Sequence, residues 1–127
     1  MTFLDSDVLI DMLRGLAPAI AWYDALVTKP SVPGVVAMEL VQGTKNASQL
    51  RVVRNVLKPM RLVWPTEADC GKALADFTAL HLSHGLGLLD ALIAATVVGQ
   101  NATLLTFNVK HYAVVPGLAT LQPYGQT

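Results

Sequence analysis

Phe3-Leu4-Asp5-Ser6-Asp7-Val8-Leu9-Ile10-Asp11 sets the fold class, because a short apolar run stops at an acid and an amphipathic stretch starts at once. Thr2, Phe3 and Leu4 read as a strand. Ser6 reads as the N-cap of a helix whose apolar positions Val8, Leu9, Met12 and Leu13 fall on one face, with Gly15 as its stop. Working outward, strand and helix patterns continue to alternate. A second helix is expected over 18–27, closed by Lys29-Pro30, and Pro33-Gly34 opens another over 35–41 that Gly43 ends. Between 47 and 57, apolar Leu50, Val53 and Leu57 recur at helical spacing, with Arg51, Arg54 and Lys58 one position on, giving one oily and one basic face. Residues 61–64 read as a strand that Pro65 ends. Thr66 with Asp69 resembles a capped start for a helix reaching His84-Gly85. Residues 88–98 read as a mostly buried helix, and 102–107 and 118–121 as later strands. Strands separated by helices imply parallel pairing, hence an α/β fold.

The chain has 127 residues, which on length alone is one domain over 1–127. Hydrophobic residues make up 53% and charged residues 14%, which excludes a disordered chain. The most apolar stretch, 86–99, contains Asp90 and falls short of the ~20 residues a spanning helix needs, so no membrane segment is expected. The N-terminus has neither a basic n-region nor a long apolar h-region, and a lone cysteine, Cys70, cannot close an internal disulfide. A cytoplasmic protein is therefore expected, with Cys70 a small core residue.

Nine basic and nine acidic residues cancel, so a global positive field cannot draw nucleic acid to this protein. The charges are nevertheless segregated. Every acid lies at or before Asp90, whereas residues 40–66 hold no acid and five bases: Lys45, Arg51, Arg54, Lys58 and Arg61.

Three acids stand in apolar company. Asp5 ends the first strand, where open α/β sheets bind ligands, while Glu39 and Asp90 interrupt apolar helical runs. Each has a plain structural reading: Asp5 caps a helix, Glu39 faces solvent, and Asp90 complements a helix dipole. If the three converge, a hard divalent cation with oxygen-only ligands, Mg²⁺ or Mn²⁺, relieves their repulsion most simply.

Together with Val36-Ala37-Met38-Glu39-Leu40-Val41-Gln42-Gly43, Leu89-Asp90-Ala91-Leu92-Ile93-Ala94-Ala95-Thr96 and Leu104-Leu105-Thr106-Phe107-Asn108-Val109-Lys110-His111-Tyr112, the opening stretch resembles the successive motifs of PIN domains. Size and motif order resemble the VapC-type toxins, the ribonuclease halves of bacterial toxin–antitoxin pairs. The resemblance implies a three-layer α/β/α sandwich around a mainly parallel sheet of four or five strands. It also implies a metal-dependent endoribonuclease in which Asp5, Glu39 and Asp90 bind Mg²⁺ or Mn²⁺ and activate water, Asp5 and Asp90 as direct ligands and Glu39 through water or as base. Ser6 matches a small hydroxyl residue beside the first acid. Thr106 and Asn108 match a polar pair where many members place a fourth acid; none follows Asp90 here, which favours single-metal chemistry. The implied partners are RNA, a VapB-type antitoxin whose C-terminal segment lies over the acidic pocket, and a second copy of the chain. Homodimerisation is also motivated by apolar content that a small domain cannot fully bury.

Other residues carry weaker signals. Arg51, Arg54 and Lys58 suit RNA phosphates or a solvated helix face, and Arg14 is the better single phosphate candidate. His81 and His84 read as partly buried or helix-end histidines rather than a zinc pair, and His111-Tyr112 as a packing or hydrogen-bonding corner. Two further readings stay open: a PIN-like binding module without metal, and a haloacid dehalogenase-type phosphatase, whose nucleophile-x-acid pattern Asp5-Ser6-Asp7 mimics.

Overall fold

Successive strand residues point to opposite faces of a sheet, and in β1 (Thr2–Leu4) both Phe3 and Leu4 are fully buried, so this sheet is covered on both sides. The computed structural model describes residues 1–125. After β1 the chain forms α1 (Ser6–Leu13), α2 (Ala17–Ala25), β2 (Val32–Pro33), α3 (Gly34–Gln42), α4 (Ala47–Leu57), β3 (Leu62–Val63), α5 (Glu67–His84), α6 (Leu88–Gly99), β4 (Thr103–Leu105), α7 (Val109–Tyr112) and β5 (Ala119–Leu121).

Every pairing is parallel. One ladder runs β1-β4-β5 and another β2-β3, and a parallel bridge between Phe3 and Ser31 joins them. The resulting order is β3-β2-β1-β4-β5, the parallel α/β arrangement that the sequence predicts. The chain steps outward one way from β1 to β3 and then crosses back to β4. The order therefore reverses between β1 and β4, and the crevice at their carboxyl ends is the place such sheets offer to a ligand. The core is aliphatic, with Val8, Leu9, Val36, Ile93, Val97 and Leu104 all buried.

Most expected elements appear close to their expected bounds, and α4 coincides with them. Thr66 and Asp69 form the reciprocal capping box, and Gly85 ends α5 with a left-handed φ of 68°. Ser6 does not cap α1. Asp5 does, its carboxylate accepting from Ser6 N–H, because the strand ends one residue earlier than a serine cap needs. Cys70 is exposed rather than buried, and Leu74 is 67% exposed. The face of α5 that packs runs through Asp69, Ala73, Phe77 and Leu80, and the Cys70–Leu74 side turns away from it. His81 and His84 are both exposed near the end of α5. Residues 118–124 return over α1 and α2: Tyr124 packs edge-on to Phe107, contacts Trp22 and donates to Asp11 Oδ2 at 2.8 Å.

Gly34 opens α3 against the indole of Trp64, and a Cβ there would stand 2.2 Å from the ring. Gly34→Ala should therefore displace Trp64 and cost about 1–3 kcal/mol. Thermal melting and tryptophan emission check this, with part of the loss recovered in the Gly34→Ala/Trp64→Ala double variant.

Candidate active site

Asp5 lies where β1 stops, and its N–H still donates to Leu105 O at 3.0 Å, extending the ladder by one bond. That bond sets Asp5 beside Thr106, 101 positions away in sequence, at the carboxyl end of β4. Thr106 is fully buried, so its hydroxyl needs partners inside the protein. It donates to Asp5 Oδ2 at 2.8 Å and accepts from the N–H of Asn108 at 3.0 Å. A longer 3.3 Å contact joins it to Asp7 Oδ2, which also accepts from Phe107 N–H at 2.9 Å. Asp7 thus ties the segment after β4 to the start of α1.

The remaining acids arrive from helices. Asp90 occupies the third position of α6, where its Oδ2 accepts from Gly87 N–H at 3.3 Å. The one-turn helix α7 grips the same carboxylate: His111 Nε2 lies 2.9 Å from Oδ2, and Tyr112 Oη donates to Oδ1 at 3.3 Å. A carboxylate only accepts, so Nε2 carries the proton of that contact. Glu39 comes from the second half of α3, and its buried Oε1 has no hydrogen-bond partner.

Electrostatics join the three acids. Burial, then the charge of Asp7, lift Asp5 to about 6 against the lowering effect of the Thr106 and Ser6 hydrogen bonds, and Asp90 adds a smaller push upward. Glu39 is raised by burial, then by Asp5 and Asp90. Asp7 is raised by burial, opposed by the N–H groups of Phe107 and Val8. Tyr112 is raised first by its burial and then by Asp5, Asp90 and Glu39 together, so its phenol stays protonated in the midst of all three.

Asp5, Glu39 and Asp90 therefore share one electrostatic environment, with Ser6 N–H and Thr106 holding Asp5. Among the described residues, no group of three His, Cys, Asp or Glu side chains forms a preassembled metal cage. Asp90 instead faces His111 and Tyr112. Asn108 is exposed and contributes its backbone N–H, while its side chain caps nothing. Arg14 shares a groove of about 530 Å³ with Glu39, along with Lys45 and Gln49. Arg51, Arg54 and Lys58 line a different groove. The sequence singles out the three acids as candidates and the His111-Tyr112 corner as a packing or hydrogen-bonding one, but gives Asp7 only its place in a phosphatase-like pattern. Its i+2 spacing from Asp5 was the available signal.

Residues 2–115 match the PIN domain family. The sequence is 37% identical over 115 residues to Ribonuclease VapC10 of Mycobacterium tuberculosis, covering 88% of this chain and 86% of that protein. A toxin-antitoxin complex from Klebsiella pneumoniae contains a chain of similar structure, with a TM-score of 0.76 and 26% identity over 98% of both chains. A DNA-bound VapBC from Salmonella typhimurium matches in fold, with a TM-score of 0.80 at 16% identity, over 94% of this chain and 96% of that one.

A carboxyl lifted from 3.8 to about 6 binds its proton more tightly in the folded state. Its contribution to stability is complete below about pH 4 and is lost as pH rises through about 6, by at most about 3 kcal/mol for Asp5. Without divalent ions, the melting temperature of the wild-type protein should fall between pH 4 and pH 7 more steeply than that of Asp5→Asn. Parallel profiles would contradict the assignment.

Proposed function

This chain belongs to the PIN domain family, and on that premise we propose that it is the ribonuclease toxin of a toxin–antitoxin pair, a single domain that hydrolyses RNA phosphodiester bonds with a divalent cation at Asp5, Glu39 and Asp90. One observation carries the reading. Burial and the charge of Asp90 raise the proton affinity of both Asp5, at the end of β1, and Glu39, on α3, Asp5 raises that of Glu39 as well, and one buried oxygen among these acids, Glu39 Oε1, has no partner. An oxygen-only donor set with surplus negative charge fits a hard cation, Mg²⁺ or Mn²⁺.

When bound, such an ion supplies Lewis acidity toward a phosphoryl oxygen and offsets the carboxylate charge. The chain's own groups do the rest. Thr106 Oγ1 and Ser6 N–H fix the plane of the Asp5 carboxylate. Tyr112 and His111 fix that of Asp90. Glu39 Oε1, unbonded and raised in proton affinity, suits the removal of a proton from attacking water. Asn108 is neutral at the position where the family resemblance places a further acid, which favours a single metal.

The same reading extends to assembly. A second copy covers exposed apolar residues such as Met38 and Trp64, which are 59% and 54% exposed. An antitoxin segment lies over the acids, with an arginine against Asp5 or Asp90. The chemistry is tested on a single-stranded RNA pool with Mn²⁺, with Mg²⁺ and with chelator. Cleavage should require the divalent ion and should fall at least about 100-fold in Asp5→Asn and in Glu39→Gln, a loss of about 3 kcal/mol of transition-state stabilisation. Cleavage that survives both substitutions would contradict the assignment.

A further inference from the structure

Helix α4 separates two grooves. Ser48, Gln49 and Val53 face the groove that holds Glu39 and Arg14. Around the helix, Arg51, Arg54, Asn55, Leu57, Lys58 and Met60 line a second groove of about 630 Å³. The three cations are exposed, and among the described residues none pairs with a carboxylate. No acid lies anywhere in residues 40–66. The chain thus keeps three uncompensated positive charges side by side although its net charge is zero.

Their spacing restricts what they fit. Positions i, i+3 and i+7 share one helix face, and at 1.5 Å per residue they extend about 10 Å along it. That is a row of donors rather than a pocket for one anion. Two of the three are guanidinium forks, which suit phosphate oxygens better than an ammonium does. Leu57 and Met60 supply apolar surface beside the row. A polyanion with regularly spaced phosphates and flat base faces fits this surface on both counts.

We propose that the Arg51–Arg54–Lys58 face of α4 binds consecutive phosphates of single-stranded RNA outside the cleavage site, so that α4 guides the strand toward the groove of Glu39. The proposal rests on the ribonuclease reading only for the identity of the polyanion. With three phosphates neutralised on a single strand, the groove accounts for a slope of about −2 in the logarithm of affinity against the logarithm of salt concentration.

The test is fluorescence anisotropy of a labelled single-stranded RNA without divalent ions, from about 0.05 to 0.3 M KCl, in an Asp5→Asn background that leaves the RNA intact. Arg51→Gln/Arg54→Gln/Lys58→Gln should weaken binding and make the slope shallower by about 2. Arg51→Lys/Arg54→Lys keeps the charge and should keep the slope. Lys29→Gln/Lys72→Gln/Lys110→Gln removes the same charge elsewhere and should leave it unchanged. An unaltered slope in the first variant, or an equal fall in the last, would overturn the proposal. So would lost binding to a polyglutamate peptide with RNA binding intact, which would assign the face to an acidic protein. Circular dichroism melting confirms that each variant is folded. RNA that is bound with the predicted slope yet never cut by the wild type would overturn the nuclease reading alone. Cutting without the slope change would overturn the groove alone.

Discussion

The hydrogen bond from Thr106 Oγ1 to Asp5 Oδ2 closes the carboxyl ends of β1 and β4, and the rest of the site is arranged around it. A buried carboxylate is costly unless it is paired or hydrogen-bonded, and Asp5 is 4% exposed. Thr106 and Ser6 N–H supply part of what it needs, but among the described residues no basic side chain does so. The strand order reverses at this same place, so the backbone leaves open the crevice in which the under-compensated acid sits. Fold and charge therefore point to one location for independent reasons.

Two helices crowd further negative charge into that location. Glu39 and Asp90 each raise the proton affinity of a neighbour, and Tyr112 registers all three acids. Helix α7 is only one turn long, yet it places two donors on Asp90. These bonds hold the Asp90 carboxylate in a fixed orientation. The arrangement resembles a charged set held apart by neutral donors, which accounts for acids that influence one another without forming a close-packed cage.

Much of this was legible in the sequence, for physical reasons that can be named. Apolar period and capping residues located α4 and α5, because a capping box and a left-handed glycine are local signals. Acids embedded in apolar runs drew attention to Asp5, Glu39 and Asp90, because a buried carboxylate is costly without a partner. Two of the short elements were not legible. β2 has two residues and α7 four, too few for any period to show, and both derive their stability from tertiary contacts. The cap of α1 went to Asp5 instead of Ser6 because both residue types cap well and only the strand end decides between them. Cys70 was misplaced because an apolar stripe on a long helix does not say which edge meets its neighbour, and here Asp69 and Ala73 do. Asp7 was undervalued because its partner, Phe107 N–H, lies 100 positions away.

The proposed cation site takes Asp5 from the end of β1, Glu39 from α3 and Asp90 from α6. Paramagnetic broadening by substoichiometric Mn²⁺ in amide NMR spectra tests it most directly. A shared site broadens the signals of Asp5, Glu39 and Asp90 together at the lowest Mn²⁺ concentration, and all three recover in Asp5→Asn. Broadening centred on Asp24 or Glu67, or on one of the three acids while the other two stay sharp, would contradict it.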